Sequence, residues 1–394
     1  MRTMPTSIFA RRAAGFSIVE LMISVVIGLL AILFATRLII TSETNKASSL
    51  GGSDQMQNGM LALFSINEDA AQAGWGLNDP LLAGCNTVFS DDDGYALPQI
   101  TRGGLPATPL AAALIVPGGA GSDELSLFSG SDASGVASVK ITQVYDGGNT
   151  LRVSSNAPFG YVEDSVIVVA PGPAGGNCAL AQLSVAPNGT VLTFDGVGGK
   201  RFNNGTLGAA GQFGDGQSRV FNLGPARTLS FHTWSVRNGV LMVRATNMAG
   251  AAAAPVSVVD NIVALKAQYG FDTRLGNAFT PRGGMQIGVW SNTMINADGV
   301  GADGDAGDFQ RIAALRIGVV ARSKVPERPD PATGQCSATR EKPRLFTAAA
   351  PSTVAAQPVE VDVAVPGDTV GWQCYRYRVF DTVVPLRNAS WSPT

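Results

Sequence analysis

The sequence predicts an α+β fold in which a long N-terminal α-helix, first transmembrane and then amphipathic, packs on a mostly antiparallel β body. An apolar run over residues 16–40 is followed by apolar residues spaced three and four apart, as on one face of a helix. The rest of the chain is rich in breakers, with 47 glycines and 22 prolines in 394 residues. Frequent breakers favour short strands joined by turns.

The apolar run is long enough to cross a bilayer. Three arginines and no acid precede it, so this flank is expected to stay cytoplasmic. Within the run only Glu20 and Arg37 are charged. A secretory signal peptide is the alternative, but its apolar region should be shorter and should lack an acid. A carboxylate near one end of a membrane helix is costly without a partner, which makes Glu20 a candidate functional residue.

Residues 41–76 are predicted to form the amphipathic half of the helix. Its apolar positions are expected to face the β body and pack in the core. At the pair Gly51-Gly52 the helix can bend or lose its helical structure locally. The apolar positions at helical spacing are Met56, Met60, Leu63, Ile66, Ala70 and Ala73.

Residues 77–394 are predicted to form the β-rich body. Strand-like runs separated by Gly, Pro, Asn and Asp favour antiparallel pairing. A C-terminal group is better defined, because aromatic and apolar residues alternate with arginines in its last stretch. The runs before residue 256 include 125–128, 136–144, 166–169, 228–236 and 240–244, and the C-terminal group consists of 261–271, 311–323 and 375–388.

The segment RRAAGFSIVEL, residues 11–21, resembles the type III signal of prepilins, which has a basic leader, a small residue, an aromatic residue and a glutamate fifth after the cut. The resemblance implies that residues 1–15 are a leader, removed by a prepilin peptidase between Gly15 and Phe16. The new amine of Phe16 would then be N-methylated. In a bundle of such helices, Glu20 of one subunit would neutralise the Phe16 amine of a neighbour and fix the axial register.

The three C-terminal stretches resemble the end of PilW-like minor pilins, which are related to the J-type minor pseudopilins of type II secretion. The resemblance implies a minor pilin that helps to initiate and build a type IV pilus and is not an enzyme. Its implied location is the bacterial inner membrane, as a single-pass protein with a periplasmic body that enters the pilus. Its implied partners are the prepilin peptidase, which is also the N-methyltransferase, other minor pilins and the major pilin.

Two other functions stay open at this point. A minor pseudopilin of a type II secretion system shares the leader, Glu20 and the assembly principle. A membrane-anchored adhesin or surface enzyme would use the helix only as an anchor, and it would not need Glu20.

The four cysteines all lie beyond the apolar run, and their even number suits disulfides in an oxidising compartment. Three connectivities are possible. We expect the pairs that are not nested, Cys85 with Cys178 and Cys336 with Cys374, each of which closes a long loop.

Asp298, Asp303, Asp305 and Asp308 lie in a glycine-rich segment between two of the C-terminal strands. Aspartates on a flexible loop could bind calcium. The spacing departs from an EF-hand, however, and acidic glycine-rich turns are often solvated hairpins. The loop is therefore a calcium candidate, and no other cofactor is expected.

Several other functions are disfavoured by composition. A net charge of −2 gives no basic footprint for nucleic acid, so no nucleic-acid partner is expected. His232 is the single histidine of the sequence, which excludes a cluster of histidine ligands and favours a partly buried structural role. The run Gly299 to Gly304 fits a dinucleotide pattern literally but lacks the strand before it and the helix after it.

Overall fold

The computed structural model describes residues 17–131, 138–172, 174, 176–196, 200–203, 206–214 and 216–388. Helix α1 spans Ile18–Gln72 and runs through Gly51 and Gly52 without a break in helical structure. It ends before Gly74 and Gly76, whose positive φ angles of 87° and 73° suit the left-handed turn that closes many helices. By internal contacts the chain divides into two units, Met1–Ser53 and Asp54–Thr394.

The first unit carries the apolar part of α1. Ile18–Ile40 is long and apolar enough to cross a membrane, with a mean hydropathy of 2.7 and no residue buried within the protein. Leucine, isoleucine and valine dominate this segment. Their exposure in water would be costly, so this surface requires another apolar environment.

The second unit contains the last part of α1 and the β body. Short helix α2 spans Ala306–Phe309. The strands of the described residues are, in chain order, β1 Cys85–Val88, β2 Ile100–Arg102, β3 Leu105–Ala107, β4 Pro109–Leu110, β5 Ala113–Val116, β6 Glu124–Ser129, β7 Val139–Lys140, β8 Thr150–Arg152, β9 Ser165–Ala170, β10 Asn177–Gln182, β11 Val191–Thr193, β12 Arg219–Pro225, β13 Ser230–Arg237, β14 Val240–Ala245, β15 Val256–Asp260, β16 Ile262–Phe271, β17 Val289–Ser291, β18 Ile312–Arg322, β19 Arg344–Leu345, β20 Val359–Glu360 and β21 Tyr377–Pro385.

Three larger sheets form the body. Their strand orders are β4-β1-β10-β9-β12-β7, β15-β14-β13-β6-β5 and β17-β16-β18-β21. Strands β1 and β10 are parallel, and the other pairings in these sheets are antiparallel. The α+β class with a mostly antiparallel body is therefore confirmed.

The predicted strand positions agree well with the sheets where the sequence pattern was strong. The three C-terminal stretches correspond to β16, β18 and β21, which are neighbours in one sheet. The runs at 125–128, 166–169, 228–236 and 240–244 correspond to β6, β9, β13 and β14. The run at 136–144 was predicted too long: residues 136 and 137 lie outside the described residues, and of the rest only β7 is a strand.

The main core contains the buried face of the second part of α1 and residues from all three larger sheets. The buried face of this part of the helix consists of Gln55, Gly59, Ala62, Ile66 and Ala70, and Ala73, just after the helix, is buried too. The prediction that Met56 and Met60 face the body is wrong, because their side chains are 40% and 58% exposed. Small residues let the helix backbone approach the sheets closely, and this approach leaves the longer methionines on the flank.

A buried ion pair ties the turn before β6 to the central strand of the four-stranded sheet. The ammonium of Lys266 on β16 lies 2.5 Å from a carboxylate oxygen of Asp123, and both side chains are almost completely buried. Asp123 also accepts the backbone N–H groups of Gly118 and Ala267, at 2.9 and 3.1 Å. A buried charge needs such a full set of partners, so the removal of either residue would leave the other uncompensated.

Gly59 packs closely against β21. A Cβ atom placed there would overlap the ring of Phe380. We predict that Gly59→Ala destabilises the protein by about 1–3 kcal/mol, because the overlap outweighs the gain in helix propensity. The measurement is urea unfolding of the full chain in detergent, followed by tryptophan fluorescence.

Gly52→Ala is the matched control, since no heavy atom outside the helix lies within 4 Å of a Cβ at that position. It should be neutral, or stabilising by up to about 1 kcal/mol. Equal stability of the two variants would contradict the close contact at Gly59.

Candidate functional site

Glu20 lies in the first turn of α1 and is exposed. The backbone N–H of Glu20 donates to the carbonyl of Ser17 at 3.0 Å, which begins the helix. Ser24 donates its hydroxyl to the carbonyl of Glu20 one turn later. No intrachain hydrogen bond or ion pair among the described residues involves the Glu20 carboxylate. The predicted cleavage residues Gly15 and Phe16 lie outside the described residues.

The second part of α1 is anchored to the body by a carboxylate. Asp69 accepts hydrogen bonds at one oxygen from His232 Nδ1 and from the indole N–H of Trp234, both at 2.7 Å. His232 and Trp234 lie two residues apart on β13, so their side chains point to the same face of the sheet. One helical carboxylate therefore fixes the position of the helix over this strand.

Three further polar contacts fix the helix along its length. Asn58 donates to the carbonyl of Asp260 at 3.1 Å. Asn388 donates to the last carbonyls of α1, at Ala71 and Gln72, both at 3.2 Å. Gln55 donates to the carbonyl of Arg376 just before β21. The sequence analysis did not predict these contacts. The available signal was a polar residue, Gln55, at the helical spacing of the buried positions.

The order of hydrogen bonds around His232 resembles that of a serine triad, with Ser230 at one ring nitrogen and Asp69 at the other. His232 Nε2 lies 3.2 Å from the hydroxyl of Ser230, but it lies closer, at 2.7 Å, to the side-chain carbonyl of Asn247. With a carboxylate at Nδ1 and a carbonyl at Nε2, both ring nitrogens act as donors. A ring that donates at both nitrogens cannot accept the serine proton, so this geometry differs from that of a serine triad.

The environment of His232 favours the charged ring. Burial by itself would lower the pKa of His232, but the hydrogen bond and the negative charge of Asp69, together with the hydrogen bond to Asn247, outweigh burial and raise this pKa above its usual value. The sequence prediction of a partly buried structural histidine agrees with this position on β13. Its ionic partner on the helix was not predicted.

The structure brings three of the four calcium candidates together. Carboxylate oxygens of Asp298, Asp305 and Asp308 lie within 4.8 Å of one another, and Asp303 is not part of this group. Asp305 caps α2 by accepting the backbone N–H groups of Gly307 and Asp308, at 2.9 and 3.2 Å. The group lies on the loop between β17 and β18.

Asp308 closes this acidic loop. Its side chain is buried and accepts backbone N–H groups from Ala297, Asp298 and Gly304, at 2.6, 3.2 and 2.8 Å. Burial raises the pKa of Asp308 above its usual value, although the three hydrogen bonds oppose this effect. The carboxylates therefore have structural roles in folding the loop. Calcium binding at this group stays a prediction.

Two disulfides reinforce the body. Cys85 is bonded to Cys178 across the parallel neighbours β1 and β10, with a Cα–Cα distance of 5.8 Å. Cys336 is bonded to Cys374, just before β21, with a Cα–Cα distance of 4.8 Å. These are the non-nested pairs chosen from the sequence. Both close long loops, of 93 and 38 residues, and so restrict the unfolded chain strongly.

Comparison with known proteins points to pilus assembly proteins. The model of the PilW family, described as type IV pilus-assembly protein W, matches residues 232–388, which confirms the resemblance seen in the C-terminal strands. No curated protein matches the chain. Among solved structures, a type IV-like pilin from Thermus thermophilus is 10% identical, with 86% of this chain and 98% of that chain covered and a TM-score of 0.28.

The Asp69–His232 contact predicts a pH-dependent stability. The pKa of His232 is raised in the folded state, so the stabilisation is complete below the unfolded pKa of histidine and is lost as pH rises through the folded pKa. We expect the free energy of unfolding of the full chain in detergent to be largest below about pH 6.5, the usual pKa of histidine, and to fall as the pH rises above it.

His232→Gln is the control for this prediction. His232 is the single histidine, so the fall in stability should be largely absent in this variant. An undiminished fall in His232→Gln would assign the effect to other groups and contradict the proposed cause.

Proposed function

We propose that this protein is a minor pilin of the PilW kind that takes part in the initiation and assembly of a type IV pilus. The observation that carries the proposal is the PilW family match over residues 232–388, which includes all of β13 to β21 except the first two residues of β13. This region holds the anchor of α1 on the body, at His232 and Trp234. It thus includes the contacts by which the body holds its helix.

The proposed membrane anchor is the apolar segment Ile18–Ile40. Its side chains are exposed and its composition suits a bilayer interior or a bundle of similar helices. We infer a single pass through the bacterial inner membrane, with the arginine-rich leader in the cytoplasm and the body in the periplasm. The two disulfides support this orientation, because they form in an oxidising compartment.

Glu20 is the proposed assembly residue. Cleavage between Gly15 and Phe16 by the prepilin peptidase would produce an amine four residues before this carboxylate, and the peptidase would methylate it. In a helix bundle the carboxylate of one subunit would pair with the amine of its neighbour. Two groups that are each expensive in an apolar environment would then satisfy each other and set the axial register.

The proposed role of the body is contact with other subunits rather than catalysis. The His232 ring lies between two acceptors, Asp69 and Asn247, rather than in the geometry of a serine triad, which supports this role. The partners in this proposal are other minor pilins and the major pilin.

Processing of the N-terminus is the first test. We expect protein from membranes of cells with the prepilin peptidase to begin at methylated Phe16, and protein from cells without the peptidase to begin at Met1. Intact mass and N-terminal sequencing measure both. An uncut chain in both cell types, or a cut near Ala35 as in a secretory signal, would overturn the proposal.

Replacement of Glu20 tests assembly separately from anchoring. We predict that Glu20→Ala is inserted and processed normally but is lost from sheared pilus fractions, because its neighbour's amine would have no partner. Glu68→Ala is the matched control, an exposed acid later in the same helix that should assemble normally. Normal assembly of Glu20→Ala would instead support a simple anchor, as in an adhesin.

A further inference from the structure

The edge strand β21 is the longest free edge of the described sheets. It has nine residues and pairs only with β18, in continuous register without a bulge. The other edge strands of the three larger sheets are shorter: β4 and β7 have two residues, β17 three, β5 four and β15 five, with a bulge in its pairing to β14. Natural proteins usually protect a long, regular edge, because its open backbone groups pair readily with another strand.

The hydrogen-bond pattern shows which backbone groups of β21 are open. Just outside its two ends, the carbonyl of Arg376 accepts from Ser323 N–H and the N–H of Leu386 donates to Ala313. Even-numbered residues therefore face β18, and odd-numbered ones face outward. Within the described part of the chain, no hydrogen bond involves the backbone N–H groups of these outward residues, which are Tyr377, Val379, Asp381 and Val383.

A row of exposed apolar side chains lies on the flank of α1 next to this edge. Gly59 packs against Phe380, and the Arg378 guanidinium contacts the sulfur of Met56 at 3.5 Å, so this side of the helix borders β21. Met56, Met60 and Phe64 follow at spacings of four, which places them along that flank. Met60 and Phe64 are 58% and 61% exposed.

A free positive charge completes the surface. Arg378 is exposed, and none of the described acidic residues forms an ion pair with it. Nearby Arg376, by contrast, is paired with Glu327 at 2.5 Å. The surface made by the open edge of β21, the flank of Met56, Met60 and Phe64, and Arg378 is called the docking ledge below.

We propose that the docking ledge binds an extended, acidic segment of a neighbouring pilin-like subunit, which adds as a strand to β21. An extended backbone can satisfy the row of outward amides, whereas a packed helix or a lipid would leave them without partners. Alternate apolar side chains of the added strand would cover Met60 and Phe64, and a carboxylate would pair with Arg378. The identity of the partner as a pilin-like subunit rests on the proposed function.

The test uses photocrosslinking of the full chain in its own cells. p-Benzoylphenylalanine replaces Phe64 on the ledge or, as a matched control, Leu61. Leu61 is similarly exposed, at 52%. It precedes Phe64 by three residues, so its side chain is rotated about 60° further away from β21 around the helix axis. We expect the Phe64 probe, mapped by mass spectrometry of the crosslinked peptides, to reach a non-helical segment of another pilin-like subunit, and the Leu61 probe not to reach that peptide.

Two substitutions, each made in addition to the Phe64 probe, test the chemistry of docking. Val379→Pro removes one outward N–H and leaves the bonds to β18, and Arg378→Glu reverses the charge. Each should reduce the crosslink about fivefold, while Arg378→Lys should keep it. Limited proteolysis that leaves β21 as protected as in the parent chain shows that the strand is still in place. If Val379→Pro does not fold, the Arg378→Glu result is the test.

The outcomes separate this inference from the proposed function. A crosslink that maps to a neighbour's N-terminal helix, or that is equal for both probes or unchanged by Arg378→Glu, overturns docking of a strand even if Glu20 is needed for assembly. Failure of cleavage at Phe16 would overturn the proposed function but not a strand-binding ledge for another partner.

Discussion

The body depends on the close approach of α1 to its sheets. This approach is possible because the buried face of the helix is made of small residues around Ile66, with Gly59 pressed against Phe380. A helix this close to the sheets brings the Asp69 carboxylate within reach of His232 and Trp234. The same close packing leaves Met56, Met60 and Phe64 on the flank of the helix.

Much of the fold could be predicted because periodicity and composition report it directly. The uncharged run identified the first part of α1, and alternation identified β16, β18 and β21. The exposure of Met56 and Met60 could not be predicted in the same way. A hydrophobic pattern ranks side chains by polarity alone, whereas the close contact with Phe380 leaves no room for a side chain at Gly59, so this glycine is buried while Met60 is exposed.

The polar sites show a similar division. The acidic loop was visible in the sequence as a concentration of aspartates, but only the folded loop distinguishes buried Asp308, which accepts three backbone N–H groups, from Asp303, which is outside the group. Asp69 lies 163 residues from His232 in the sequence, so their contact depends on the packing of a helix on a distant strand. The cysteine pairing was chosen correctly only as one of three arrangements, since sequence order gives no distances.

The position of the single histidine has a practical consequence for spectroscopy. The imidazole of His232 lies at the joint between α1 and β13 and contacts residues of both. Its two ring C–H groups give one pair of imidazole proton resonances in the whole protein, without overlap from other histidines. Selective isotope labelling of histidine would thus provide a single reporter of helix attachment, readable even when the subunit is embedded in a large filament.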